Sequence, residues 1–393
     1  MSEMNRRNFL KFAGTTVLAA SVAGTLGGCG GTSEEPAAPS NSSSSKPSGG
    51  ASSSSTSSGS TSSSSTGTSS SSSTSQDTST QKKVLWLVDS VGTGRVLITG
   101  FSSDGDRPSG VVQIPQEIAG KQVVGIGWQA LAGCTEITEI VLPKTVIGFD
   151  DFAFSGCKKL RKINFTSSIL LIGEFAFRET AITDVTIPKS VKEIDAGAFM
   201  DSKLQRVRFE GEPLLEGGIF SGCKYLKDIE LPKKMVMTSR AASIYYDKTA
   251  IPGTFFKDCS SLVNIVIPES VTAIGDSAFE GCTSLQNVKM SANLTTIRRS
   301  AFAYCTSLKK IAIPNRVNFI GFKAFMGCTN LQKVYIPKTV TNVSEFGDCD
   351  SLTDIYYEGT RADWANVKIG GSVSLVTIHY GDRKSTRLNS SHS

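Results

Sequence analysis

Few side chains in this 393-residue chain could do chemistry, and most of them recur at a fixed spacing. The two histidines, His379 and His392, lie near the C-terminus, and no Cys-x-x-Cys pair accompanies them. A zinc site needs Cys and His clustered at short intervals. A Ser-His-Asp triad would have to rest on His379, at the margin of the patterned region. No Gly-x-x-x-x-Gly-Lys-Ser/Thr phosphate loop occurs, and Gly92-Thr-Gly94 reads as a hairpin turn. The sequence thus predicts no catalytic residue, no metal site and no cofactor. Paired carboxylates are the remaining enzymatic option. Glu139, Lys162, Asp184, Arg206 and Asp228 alternate in sign at one recurring position, which predicts ion pairs between neighbours instead of an acid pair around a bond.

Binding chemistry is better supplied. The same position later reads Asn264, Asn287, Lys310, Lys333, Asp354, and the position two residues on reads Val266, Lys289, Ala312, Tyr335, Tyr356. Lys289, Lys310 and Lys333 meet no acid in register until Asp354. With Tyr335 and Tyr356 beside them, they could hold an anionic or glycan-bearing partner, because a tyrosine ring offers a flat apolar body with a hydroxyl. Exposed Lys and Tyr on strands also serve simply to keep a sheet soluble.

These positions are set by a repeat. Ten copies of one pattern recur about every 23 residues, marked by Cys134, Cys157, Phe177, Phe199, Cys223, Cys259, Cys282, Cys305, Cys328 and Cys349. Each reads Leu-x-x-Ile-x-Ile-Pro, then Val-x-x-Ile-Gly, then Ala-Phe-x-Gly-Cys. A period of this length marks a solenoid, whose units bury their apolar faces only by stacking. The first block predicts a short strand, stopped by Pro143, Pro188, Pro268, Pro314 or Pro337. The glycine after Ile, as in Gly127, Gly173, Gly275 and Gly321, predicts a turn. Ala-Phe suits a helical turn that lays Phe in the core. The expected fold is a repeat solenoid with a parallel sheet on one face and short or helical turns on the other. Cysteines recurring once per coil predict a buried ladder of free thiols.

The pattern resembles the BspA-like leucine-rich repeats of surface proteins, over about residues 83–380. Val91–Gly100 with Ile114-Pro115 and Ile118–Val124 resembles that family's N-terminal hairpin cap. Tyr356-Tyr357-Glu358-Gly359-Thr360 with Ala362-Asp363-Trp364 resembles its C-terminal cap. The resemblance implies adhesion to an extracellular protein or glycan, host matrix or mucin among them.

The ends add an address. Asn5-Arg6-Arg7-Asn8-Phe9-Leu10-Lys11 matches a twin-arginine export signal, with Arg6 and Arg7 as its pair. Leu26-Gly27-Gly28-Cys29 resembles a lipobox, which implies cleavage before Cys29 and lipidation of its thiol. The organisation expected is a signal peptide over 1–28 and a Ser/Thr-rich tether over 29–82, too polar to fold. An N-terminal cap over 83–125 follows, then coils over 126–355. The coils carry an insertion over 233–250 that includes Tyr245 and Tyr246, a candidate functional loop. A C-terminal cap covers 356–381. The tail 382–393 resembles translated adapter sequence, with a native basic tail as the alternative. The formal charge is +6, of which residues 1–28 and 382–393 carry +2 each, so the remainder is nearly neutral. That balance gives no reason to expect nucleic acid as a partner, and membrane contact would come through the lipid alone. The expected function is a surface lipoprotein used for adhesion. A structural spacer or self-associating envelope scaffold is the alternative, and a polysaccharide-acting enzyme a third.

Overall fold

Each period carries three short blocks, and every block stacks on its counterpart one coil away. The computed structural model describes residues 84–238, 248–343, 346–369 and 376–381. The first block is extended because branched apolar residues alternate with polar ones. It forms strands such as Asp184–Ile187, Arg206–Phe209, Lys333–Ile336 and Asp354–Tyr357. They pair in parallel with equivalent residues in register, Asp184 opposite Arg206 and Lys333 opposite Asp354. The chain is therefore the repeat solenoid its period predicts, with this ladder running in pieces of two to four strands.

The second block builds a further parallel ladder from strands only two residues long. Leu171–Ile172, Glu193–Ile194, Leu214–Leu215 and Val236–Met237 follow one another; Ala250–Ile251, Ala273–Ile274, Thr296–Ile297 and Phe319–Ile320 do so further on. The glycine assigned to a turn here has another role. A Cβ on Gly275 would lie 2.6 Å from the Gly253 nitrogen, and one on Gly321 would lie 2.5 Å from the Arg299 nitrogen. Glycine stands there because the neighbouring coil's backbone leaves no room for a side chain.

The third block turns between two left-handed residues: Ser277 (φ 56°) and Gly281 (φ 74°) in one coil, Ser300 (φ 52°) and Tyr304 (φ 59°) in the next. Its amides reach across coils, with Phe279 N donating to Ala301 O at 2.8 Å and Gly281 N to Ala303 O at 2.9 Å. The turns deliver one Phe per coil to the axis. Phe256, Phe279, Phe302 and Phe325 stack at 5.3, 5.1 and 5.6 Å, all fully buried or nearly so. Burial of each ring stabilises by about 1.5–3 kcal/mol, and stacking adds about 0.5–1.5.

Cysteine follows in the same turn. Cys157, Cys223, Cys259, Cys282, Cys305, Cys328 and Cys349 are buried free thiols, as the spacing predicts. Cys134 departs from that expectation, being disulfide-bonded. The free thiols are more than small apolar fillers. Cys282 donates to Phe256 O at 3.1 Å, Cys305 to Phe279 O and Cys328 to Phe302 O, both at 3.2 Å. Each of these carbonyls also accepts the amide of the cysteine in its own coil, so the thiol fills the second lone pair.

One step in the stack differs. The short ladder stops at Val236–Met237 and resumes at Ala250–Ile251; the long one stops at Asp228–Ile229 and resumes at Asn264–Val266. No strand pair spans the step among the described residues; Met237 N donates to Lys248 O at 2.9 Å, and Ser270 Oγ accepts from Met235 N at 3.0 Å and donates to Lys233 O at 2.9 Å. The turn side also bonds across it: Phe220 N donates to Phe255 O at 3.1 Å, Gly222 N to Lys257 O at 2.7 Å, and Phe220 stacks on Phe256 at 5.9 Å.

Candidate ligand-binding face

The last piece of the long ladder consists of Lys310–Ala312, Lys333–Ile336, Asp354–Tyr357 and Thr377–Tyr380, all parallel. Alternation sends Ile311, Val334 and Ile355 into the core and their neighbours outward. Two outward columns result. One holds Lys310, Lys333, Asp354 and Thr377 in register, the other Ala312, Tyr335, Tyr356 and His379.

Strand spacing of about 4.8 Å is close to the distance at which flat rings stack. Tyr335 and Tyr356 stack at 4.7 Å and 16°, and Tyr356 and His379 at 4.4 Å and 11°. Three rings thus form one half-buried column along the outer face. His379 Nε2 lies 2.7 Å from Asp354 Oδ1, which ties the two columns together. That hydrogen bond, with a second from Thr353 and the charge of Lys333, holds the Asp354 carboxyl below its usual range. Lys310 and Lys333, both exposed, make no ion pair among the described residues.

Of the residues singled out by spacing, the structure brings Lys310, Lys333, Tyr335 and Tyr356 together. Lys289 stands apart from that group. It lies opposite Val266 in a separate two-stranded sheet, in the column of Ala312 and Tyr335 and not in that of the other two lysines. His379 is the member that spacing missed. It lies beyond the last motif, and its only signal was a register of 21 and then 23 residues from Tyr335 through Tyr356. Its Nε2 faces Asp354, and no hydroxyl or thiol bonds it among the described residues. Arg6, Arg7, Cys29, Tyr245 and Tyr246 lie outside the described residues.

The early coils present the opposite arrangement on the same side. Lys162 pairs with Glu139 at 2.8 Å and Arg206 with Asp184 at 2.5 Å. Asp228 is taken by Arg208, two residues along the strand from Arg206. A hydrogen bond from Thr183, helped by the hydrogen bond and charge of Arg206, holds the Asp184 carboxyl down against an opposing effect of burial. A shallow groove of about 490 Å³ on the turn side is lined by Lys257, Asp276, Glu280, Arg299, Tyr304 and Lys323. Its charges are partly spent on each other, with Lys257 on Glu280 at 3.0 Å.

The family model described as BspA type leucine rich repeat region matches in six copies, over residues 124–242 and 249–366. No curated protein matches the chain. Among solved structures, a leucine-rich repeat protein from Bacteroides ovatus is similar at 23% identity with a TM-score of 0.59, over 79% of this chain and 80% of that one. One from Eubacterium ventriosum is 20% identical with a TM-score of 0.43, over 67% and 74%. The pneumococcal vaccine antigen PcpA is 17% identical with a TM-score of 0.43, over 78% and 94%. At these identities the likeness concerns the fold, and the first of the three carries it.

Proposed function

The chain belongs to the BspA-type leucine-rich repeat family, and on that premise we propose that it is a surface-displayed adhesin. Its last coils bind an anionic or glycan-bearing extracellular partner. One observation carries the reading: Lys310 and Lys333 stand in register without an ion-pair partner among the described residues, beside the Tyr335–Tyr356–His379 stack. The earlier coils pair their own charges and have little left to offer a charged ligand. Rings supply a flat apolar platform for sugar or peptide, and the ammonium groups supply attraction that falls with salt.

The test is binding of the purified full chain to an array of glycans, mucins and matrix glycoproteins at two salt concentrations. We expect saturable binding that weakens as salt rises and is lost in the Lys310→Glu, Lys333→Glu double variant. Binding unchanged in that variant would sink the assignment to this face. Concentration-dependent oligomers without any ligand would replace adhesion with the scaffold reading.

Display at the surface rests on the twin-arginine and lipobox patterns around Arg6, Arg7 and Cys29. A lipidated Cys29 has no thiol left for a disulfide, so lipidation of Cys29 and a bridge from Cys29 to Cys134 are alternatives. Mass spectrometry of the chain from its own membrane fraction should find Cys29 as the acylated N-terminus. An unmodified residue there would remove the anchor.

A further inference from the structure

In the column after each two-residue strand, the commonest residue is the glycine that yields to the neighbouring backbone, as at Gly173, Gly275 and Gly321. Two successive coils put carboxylates there instead. Asp195 follows Glu193–Ile194, and Glu216 follows Leu214–Leu215, the strand paired with it in register. Glu193, two residues before Asp195, shares its side of the strand. The three side chains each bring a carboxylate oxygen within 4.8 Å of the other two.

Asp195 is 3% exposed and Glu216 5%. Glu216 Oε1 accepts a hydrogen bond from Thr238 Oγ1 at 2.8 Å. The Asp195 carboxylate accepts no hydrogen bond and meets no cation among the described residues, although it points at the two glutamates. Asp151 and Glu174, from preceding coils, add to the same negative field. A carboxylate so removed from water, among like charges and without a donor, is costly unless something positive joins it.

We propose that Glu193, Asp195 and Glu216 hold one calcium ion. Calcium takes six to eight oxygens at about 2.3–2.6 Å, so ligands on opposite sides of it lie about 4.6–5.2 Å apart. The cluster falls within that span. Calcium also tolerates an irregular set completed by water, which can reach the site along half-buried Glu193. Magnesium demands a tighter octahedron, and zinc prefers nitrogen and sulfur donors that this cluster lacks.

Calorimetric titration of the chelator-treated full chain with calcium chloride tests this. We expect one calcium per chain with a dissociation constant of about 10⁻⁴ to 10⁻³ M, the range of extracellular modules. At ten times that constant, Tm should rise by about 3 °C. Asp195→Asn should abolish both the binding heat and the rise, while melting in chelator no lower than the parent because one acid is gone from a crowded buried cluster. Glu193→Gln, at a half-buried position, should weaken binding at least tenfold. No saturable heat from the folded parent overturns the proposal. So does calcium binding that survives in Asp195→Asn or is unchanged in Glu193→Gln, and magnesium binding as tightly as calcium overturns the choice of ion.

Discussion

At the scale of single residues, the cysteines show how a small side chain does two jobs. Cys305 is fully buried and gives its S–H to Phe279 O, a carbonyl that already holds the amide of Cys282. Cys305→Ala should therefore cost about 1–2 kcal/mol, combining one lost hydrogen bond with a small cavity. Urea melts of the two proteins measure it, and equal midpoints would reduce the thiol to a spacer. The same burial should keep the seven ladder thiols from an aqueous thiol reagent until the chain unfolds. Register made the ladder legible in the sequence. The donor role was not, because periodicity reports burial and says nothing about which carbonyl faces the sulfur.

At the scale of elements, the Phe column and the short ladder bind coil to coil. Phe302 stacks on Phe279 at 5.1 Å and on Phe325 at 5.6 Å, so Phe302→Ala opens two interfaces at once. Its expected cost is about 3–5 kcal/mol, read from thermal or urea unfolding. Gly321→Ala should also destabilise, since its Cβ would sit 2.5 Å from a backbone nitrogen that cannot swing aside. A neutral result would mean that the coils separate more easily than this packing implies. Both elements were only partly visible beforehand. A two-residue strand is too short to display alternation, so the recurring Val-x-x-Ile-Gly block gave no sign that it forms a second ladder. A glycine that makes room and a glycine that turns the chain are also identical in sequence. The Lys310, Lys333, Tyr335 and Tyr356 face could be read because a fixed period converts spacing into register. Asp195 and Glu216 could not, since 21 residues separate carboxylates that only the short ladder brings together.

At the scale of the whole molecule, the thiols act in concert. Burial pushes Cys157 and Cys223 up to about 12, Cys349 to about 11, and the other four well above the ordinary thiol value. In the unfolded chain thiols ionise near pH 8.5–9. The folded state therefore holds more protons above that pH, and its stability falls as pH rises toward the folded values. Each buried thiol contributes about 1.4 kcal/mol per pH unit in that window. We expect circular dichroism to show steep alkaline unfolding that starts above about pH 9. A variant with Cys282, Cys305 and Cys328 replaced by Ala should lose structure over a broader range; an unchanged slope would remove the thiols as the cause. The interrupted step between the coils of Phe220 and Phe256 has a mechanical meaning as well. Bonds between coils lie along the axis, so a molecule tethered at one end and attached at the other carries load through its steps in series. Where no strand pair spans the step among the described residues, fewer strand-to-strand bonds share that load, and extension should begin there. In an optical trap the first lengthening event should separate the coils before Phe220 from those after Phe256, with each block still folded.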